Sequence, residues 1–148
     1  MALLRKSVEI FVLLMPTAPA LSFINFLDLS GKRFSNGRDG EVVSCRSVGS
    51  WKQQLLKAKQ YNKLVVVKFT ATWCGPCRAM APVLEDLAKK TSNVIFLKVD
   101  VDELMSVANE LGVGAIPSFQ FFKNGKLVDK FVGANKDLLR NTLSKHAA

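Results

Sequence analysis

The sequence predicts an α/β protein with a central mixed β-sheet flanked by helices on both faces. Two apolar, β-branched runs at residues 64–70 and 94–99 are separated by segments with the apolar spacing of helices. Nearer the C-terminus, Asn124-Gly125 separates two more strand-like runs, and this dipeptide is the strongest short signal for a β-hairpin. Strands joined through helices become parallel by right-handed crossovers, whereas the hairpin adds an antiparallel pair.

The elements are expected in the order helix, strand, helix, strand, helix, strand, strand, helix. Ser47 or Ser50 is expected to cap the first helix. The run 64–70 is long enough for a buried strand, and a helix should follow the segment 73–77. The apolar residues of that helix are Met80, Val83, Leu84, Leu87 and Ala88.

The second half of the pattern begins with the strand 94–99, which precedes a short helix at 103–111. The runs 118–122 and 126–132 then form the hairpin, and Asn135 is expected to cap the last helix. The apolar side of this last helix consists of Leu138, Leu139 and Leu143.

Two regions of the 148-residue chain differ in character. The regular pattern occupies residues 41–148, which we expect to form one domain. Residues 1–40 combine a basic start, an interrupted apolar stretch and a polar linker. They have the parts of a secretory signal and the arginines of an organelle transit peptide, although Glu9 argues against both. The apolar stretch is too interrupted for a transmembrane helix. This extension is therefore expected to be a targeting or membrane-proximal segment, or a tail with no address.

The composition excludes several classes of protein. A hydrophobic content of 49% is that of a globular chain. The net charge of +9 comes from scattered lysines and arginines that are not interleaved with aromatic residues, which indicates a solvated basic surface rather than nucleic-acid binding. Three cysteines are too few for a disulfide scaffold, and two of them are separated by only two residues. This spacing favours redox chemistry.

The segment Trp73-Cys74-Gly75-Pro76-Cys77 lies where a strand ends and a helix begins. At a helix N-terminus, unpaired N–H groups stabilise a thiolate, so Cys74 is predicted to be the nucleophile that attacks a substrate disulfide. Cys77, one turn further on, would resolve the mixed disulfide. Gly75 permits the tight turn, Pro76 suits the first helical turn, and Trp73 offers an apolar flank to the substrate.

A zinc site and a pair of structural cysteines are the two other interpretations of the cysteine pair. A zinc site needs four ligands, and only Cys45 and His146 remain, neither at ligand spacing, so no metal is expected. Two structural core cysteines are disfavoured by the strand-to-helix context. Cys45 is expected to be an inert thiol, with an intermolecular disulfide or glutathionylation as the alternative. No role is expected for His146.

This set of residues resembles the thioredoxin family from about Glu41 to the C-terminus. The Trp-Cys-Gly-Pro-Cys motif after an apolar strand carries the resemblance, and residues 69–73 and 87–90 look most like plant h-type thioredoxins. The other matching segments are Lys98 to Glu103, Ala115 to Ser118, Phe122 to Lys126, and Val132 to Ala134.

The resemblance implies the thioredoxin fold and a protein-disulfide reductase that serves electron transport and cell redox homeostasis. It implies no bound cofactor beyond a reversible Cys74–Cys77 disulfide, and the chain has no glycine-rich nucleotide motif. The implied partners are disulfide-containing target proteins and a thioredoxin reductase, with the chain a monomer. The implied compartment is the cytoplasm, although the extension leaves the secretory pathway or an organelle open.

The resemblance also implies a substrate surface beside the cysteine pair. Ile116–Pro117 would be a cis peptide that presents backbone groups to the substrate, and Gly133-Ala134 would line the same surface. From the residues alone, Pro117 would be an ordinary trans loop proline. The surface is completed by Trp73, Gly75 and Pro76.

The chain departs from the family pattern at Lys68, where typical thioredoxins have a buried Asp that helps to deprotonate the resolving thiol. A buried lysine responds with a lowered pKa or by extending its amine to water. Lys98 would face it as a like charge, and Asp100 is a possible partner for either amine. A charged Lys68 would stabilise thiolates and make the protein a poorer reductant than a typical thioredoxin at roughly −270 mV, whereas a neutral amine could act as the base. We expect a slower or more oxidising enzyme that still works.

The N-terminal extension and Lys68 leave two other functions open. One is an oxidant or isomerase of a secretory compartment, which the extension and Lys68 favour and Gly75-Pro76 opposes, because isomerases usually resemble Cys-Gly-His-Cys there. The other is a non-catalytic thioredoxin-fold binding module in which Lys68 has abolished turnover. Retention of both Cys74 and Cys77 argues against it.

Overall fold

The computed structural model describes residues 38–148. The expectation of a targeting segment within residues 1–40 therefore falls, apart from its last three residues, outside the described part of the chain. The elements in order are β1 (Val42–Cys45), α1 (Val48–Gln60), β2 (Leu64–Thr70), α2 (Gly75–Lys90), β3 (Val94–Asp100), α3 (Met105–Glu110), β4 (Ser118–Lys123), β5 (Lys126–Val132) and α4 (Lys136–Ala147).

The strands form one mixed sheet in the order β1-β3-β2-β4-β5. β1 and β2 are parallel to β3, whereas β4 is antiparallel to both β2 and β5. The predicted mixed sheet and its closing hairpin are therefore confirmed. β1 was not predicted, because it has only four residues and its sequence carries no long apolar run. It becomes a strand by pairing with β3, with Val42 opposite Phe96.

Helices cover both faces of the sheet, as the sequence predicts. Side chains alternate along each strand, so Val65, Val67 and Phe69 of β2 pack with α1 and α3, whereas Leu64 and Val66 pack with α2 and α4. The helix residues in the first core are Trp51, Ala58 and Val107, joined by Leu104 just before α3, and those in the second are Met80, Leu84, Ala88, Leu139 and Leu143.

Two local expectations change in the structure. α3 begins at Met105 rather than residue 103, because Asp100 Oδ1 accepts hydrogen bonds from the backbone N–H groups of Asp102 and Glu103 and holds that segment in a turn. Leu138 is 40% exposed instead of facing inward. The inward stripe of α4 is Leu139 and Leu143, four residues apart, and Leu138 lies about 100° round the helix from Leu139.

The N-caps of α1 and α4 are residues that the sequence analysis predicted. Of the two candidates for α1, Ser47 is the N-cap, and Ser50 completes a capping box by accepting a hydrogen bond from the Ser47 N–H. Asn135 caps α4 through its side chain, which accepts from the Leu138 N–H at 2.9 Å. The two capped ends fix where the helices that flank the sheet begin.

Candidate active site

The cysteine pair lies at the junction of β2 and α2, as predicted. Cys74 is the N-cap of α2, and its Sγ accepts a hydrogen bond of 3.2 Å from the Cys77 N–H. The two cysteines form a disulfide and are 5% and 1% exposed, respectively. Pro76 lies in the first turn, where its missing N–H needs no partner. After reduction, the same helix end would stabilise negative charge on Cys74 Sγ.

Trp73 is the most exposed large apolar side chain next to the disulfide, at 69%. Its Nε1 donates a hydrogen bond of 2.9 Å to Asp102 Oδ2. Asp102 was not among the predicted site residues. The signal for it is topological: β2 and β3 are parallel neighbours, and the Val101 N–H donates to Thr70 O at 2.9 Å, so the residues after both strands meet at one sheet edge. Asp102 thereby holds the indole that flanks the disulfide.

The loop before β4 approaches the disulfide from the other side. Ile116–Pro117 is a cis peptide, as the resemblance implied, and Ile116 packs against the cluster that contains both cysteines. The Gly133 N–H donates to Pro117 O at 2.8 Å, which joins the two predicted substrate loops. Gly133 has a φ of 113°, a left-handed conformation that favours glycine. Ala134 follows it and is exposed.

Lys68 lies next to Cys77 and is only 3% exposed. Its Nζ donates a hydrogen bond of 2.8 Å to Cys77 O. Burial is the main reason that the pKa of Lys68 is lowered to about 8; the charge of Lys98 contributes to the lowering, and that of Glu85 opposes it. Of the two responses considered for a buried lysine, the structure therefore has the lowered pKa. The carboxylate that acts on the Lys68 charge is that of Glu85, whereas the sequence suggests Asp100 as a possible partner.

A cavity of about 290 Å³ opens beside Cys77 and Lys68. Its wall contains charged side chains from β2, α2 and β3, together with small and apolar side chains. The lining residues are Val42, Lys68, Thr70, Ala71, Thr72, Cys77, Arg78, Ala81, Leu84, Glu85, Lys98 and Asp100. Glu85 was missed in the sequence, where its only signal is its position two turns along the helix that carries Cys77. Cys77 therefore shares this cavity with a set of titratable groups.

Cys45 lies outside this site. It is 1% exposed, packs in the core that contains Trp51, and has a pKa raised to about 11 by burial, which a hydrogen bond with Ser50 opposes. Such a thiol is inert in the folded protein, which agrees with the first expectation and argues against an intermolecular disulfide or glutathionylation.

His146 also lies away from the disulfide, but the expectation that it has no role was wrong. Its Nε2 is 2.9 Å from Asp129 Oδ2, and its ring is near Phe121. The contact joins the last turn of α4 to β5. The position near the C-terminus hid this role, because the sequence does not reveal that the final helix returns to the edge strand.

Residues 38–148 contain no group of three or more His, Cys, Asp or Glu side chains that could hold a metal ion. Within the same range, no helix is both long and apolar enough to cross a bilayer.

Comparisons with known proteins agree with this geometry. The family model for thioredoxin matches residues 42–145. Thioredoxin H1 of Arabidopsis thaliana is 56% identical over 110 residues, which cover 74% of this chain and 96% of that protein. An H-type thioredoxin of Ricinus communis is 54% identical over 110 residues, covering 74% and 93%.

Solved structures give the same answer for the fold. Thioredoxin NaTrxh from Nicotiana alata superposes with a TM-score of 0.69 at 46% identity, over 76% of this chain and 97% of that one. Thioredoxin f from spinach chloroplast gives a TM-score of 0.68 at 33% identity, over 76% and 98%. The disulfide lies at the N-terminus of α2, and the similarity to thioredoxins extends over residues 42–145. The chain therefore belongs to the thioredoxin family of dithiol–disulfide oxidoreductases, and it is similar to the plant h-type proteins.

Proposed function

We propose that the chain reduces protein disulfides with Cys74 as the nucleophile and Cys77 as the resolving thiol. The hydrogen bond from the Cys77 N–H to Cys74 Sγ at the start of α2 supports this assignment, because it favours negative charge on that sulfur. The Cys74 thiolate attacks a substrate disulfide and releases one substrate thiolate. Cys77 then loses its proton and attacks Cys74 Sγ, which releases the second substrate thiolate and forms the Cys74–Cys77 disulfide.

Thioredoxins act on disulfide-containing proteins and are reduced by thioredoxin reductase. They need no bound cofactor because their cysteine pair carries the electrons. We infer that the targets dock across Trp73, the first turn of α2 at Gly75 and Pro76, and the loops at 116–117 and 133–134. The exposure of the indole and the packing of Ile116 against the cysteine cluster support this surface. We propose that the chain works as a monomer in the cytoplasm.

The reductase assignment is tested by following the reduction of insulin disulfides by the full chain, driven by dithiothreitol. Cys74→Ser should abolish the protein-dependent rate. Cys77→Ser should leave the first attack intact and accumulate a mixed disulfide with the target, which is detected by mass spectrometry. An unchanged rate with Cys74→Ser would refute the assignment, and so would the absence of any trapped adduct with Cys77→Ser.

Lys68 is proposed to tune this reaction rather than to abolish it. A buried ammonium next to Cys77 stabilises thiolates and hence the reduced form, which makes the protein a weaker reductant. Lys68→Asp should therefore lower the reduction potential, measured by equilibration with glutathione, and raise the insulin-reduction rate. Equal potentials for the two proteins would mean that Lys68 is a neutral replacement.

The secretory oxidant and the non-catalytic module are not favoured by the thioredoxin relatives.

The proposed domain boundary near residue 41 and the cytoplasmic assignment have their own test. A fluorescent protein fused after residues 1–40 is expected to stay in the cytoplasm. Accumulation in the secretory pathway or in an organelle would instead identify the extension as a targeting segment.

A further inference from the structure

We propose that Glu85 and Lys98 are positioning residues for the resolving step, in which Lys68 takes the proton from Cys77. The two surface charges act on Lys68 in opposite directions: Glu85 favours its ammonium form and Lys98 favours its free amine. This inference rests on the proposed function, and its experiment separates the failure of one from the failure of the other.

Strand geometry brings these groups together. Leu64 and Val66 of β2 face α2, so Lys68, two residues on, faces it as well. Its register partner on β3 is Lys98, and its register partner on β4 is Phe119, which carries no charge.

The other charged groups that line the cavity of Lys68 come from two elements. α2 contributes Arg78 and Glu85, and β3 contributes Lys98 and Asp100. Asp100 Oδ1 already accepts two backbone hydrogen bonds from the following turn. The charges that act on Lys68 are those of Lys98 and Glu85, after the larger effect of burial. Both are exposed side chains at the mouth of the cavity, so they can be exchanged with little disturbance to the core.

Because the pKa of Lys68 is about 8, the free amine is the minor form at pH 7 and its fraction rises with pH. In the mixed disulfide, the free amine accepts the proton of the Cys77 thiol and becomes an ammonium. Cys77 Sγ forms a bond to Cys74 Sγ, and the bond between Cys74 and the substrate breaks. The substrate sulfur leaves with the electron pair and takes a proton from solvent. Lys68 Nζ is held on Cys77 O at 2.8 Å, and a cavity of about 290 Å³ is large enough for water to carry the proton between amine and thiol.

The two variants are expected to move the resolving step in opposite directions. Glu85→Gln removes the anion that favours the ammonium, so more free amine is present at pH 7 and the rate should rise. Lys98→Gln removes the cation that favours the free amine, so the rate should fall. Each effect should be about twofold, since interactions between exposed charges are modest, and each should diminish in high salt.

The measurement uses the reduced full chain and an equimolar amount of dithiobisnitrobenzoate, a disulfide whose thiolate product is coloured. The first coloured thiolate reports attack by Cys74, and the second reports resolution by Cys77. Stopped-flow traces between about pH 6 and pH 9 give both rates. The second rate should shift along the pH axis in opposite directions for Glu85→Gln and Lys98→Gln, whereas Glu110→Gln and Lys89→Gln, exposed charges elsewhere, should change neither rate.

A second comparison tests whether the effect passes through Lys68, because either charge could also act directly on the Cys77 thiol. In a chain that carries Lys68→Gln, the added Glu85→Gln and Lys98→Gln changes should no longer alter the second rate. Persistence of the opposite shifts without Lys68 overturns the proposal, and so do shifts in one direction or none in the natural chain. If the unchanged protein releases no second thiolate at all, the proposed function itself fails.

Discussion

Lys68 combines a buried amine with a hydrogen bond to the backbone of Cys77, and the burial of its charge affects the stability of the fold. The unfolded chain keeps the lysine proton up to the ordinary pKa of 10.5, whereas the folded protein releases it above about 8. Between these values the unfolded state binds more protons, so the stability of the folded protein rises with pH. Below about pH 8 the lysine is protonated in both the folded and the unfolded states, so the full cost of burying its charge lowers the stability of the folded protein.

We therefore expect Lys68→Met to stabilise the oxidised protein at pH 7 and to lose that advantage above pH 8. The lowering of the Lys68 pKa from 10.5 to about 8 sets an upper limit of about 3 kcal/mol on the gain, and loss of the hydrogen bond to Cys77 O reduces it. Urea unfolding at pH 7 and pH 9.5 measures this change. The exposed Lys89→Met is the matched control, and a Lys68→Met gain that is the same at both pH values would contradict the expectation.

Cys45 offers a second prediction about a single residue. Because its thiol is buried and its pKa is raised to about 11, iodoacetamide at pH 8 should not modify it in the folded, oxidised protein. One equivalent should react after unfolding in urea. Cys45→Ala should reduce insulin at the natural rate, and rapid labelling of the folded protein would show that the thiol is accessible after all.

Among the site residues, those adjacent in sequence were predictable and those brought together by the sheet were not. Two cysteines separated by Gly75-Pro76 identify a redox pair without any fold. Asp102 and Glu85 carry no such signal, because their roles depend on which strand lies beside β2 and on which helix covers it.

At the scale of elements, α4 is joined to β5 by a small electrostatic cluster. Asp129 of β5 is 2.9 Å from His146 Nε2 and 3.3 Å from Lys145 Nζ. The hydrogen bond with His146 is the main reason that the pKa of Asp129 is lowered. An aspartate with a lowered pKa stabilises the fold above its unfolded value of 3.8 and loses that contribution as the pH falls through the folded value.

Asp129→Asn should accordingly lower the Tm at pH 6, and its difference from the natural protein should shrink as the pH falls below 3.8. Thermal unfolding followed by circular dichroism between pH 6 and pH 3 measures this. In a chain that carries His146→Ala, the Asp129→Asn effect should be smaller, since the two side chains interact. A Tm difference that is constant over this pH range would mean that the carboxylate contributes no ion-pair stability.

Elements with strong local signals were predicted well, and those that depend on neighbours were not. The strand at 64–70 and the hairpin around Asn124-Gly125 have the predicted bounds within one residue. β1 is too short to show a period, and it exists as a strand because β3 offers it an edge. The exposure of Leu138 follows from the rotation of α4 on the sheet, which hydrophobicity alone does not set.

At the scale of the whole molecule, the first described residues are tied to the segments that precede β2 and β3. Lys63 Nζ donates to Asp39 Oδ1 at 2.9 Å and to Ser92 O at 3.2 Å. A chain that starts at residue 38 keeps these contacts, whereas one that starts at residue 41 loses Asp39.

We predict that residues 38–148 alone unfold in one transition and reduce insulin within about twofold of the rate of the full chain, as a single cooperative domain should. Urea unfolding and the dithiothreitol-driven assay on both proteins check this. A truncated chain that is folded but inactive would mean that the extension contributes to the reaction. One that does not fold would refute the proposed domain boundary.

The sequence by itself determined the fold class, the redox pair and the anomaly at Lys68, because each can be recognised from residues that are close together in the chain. These signals are a strand-length apolar run, a Cys-X-X-Cys spacing and a charge inside a buried strand. Only the tertiary structure decided what surrounds that charge. The parallel pairing of β2 with β3 sets Lys68 beside Lys98, and the packing of α2 on the sheet brings Glu85 and Cys77 to the same cavity. Electrostatic effects depend on distance and burial, and both are properties of the folded chain.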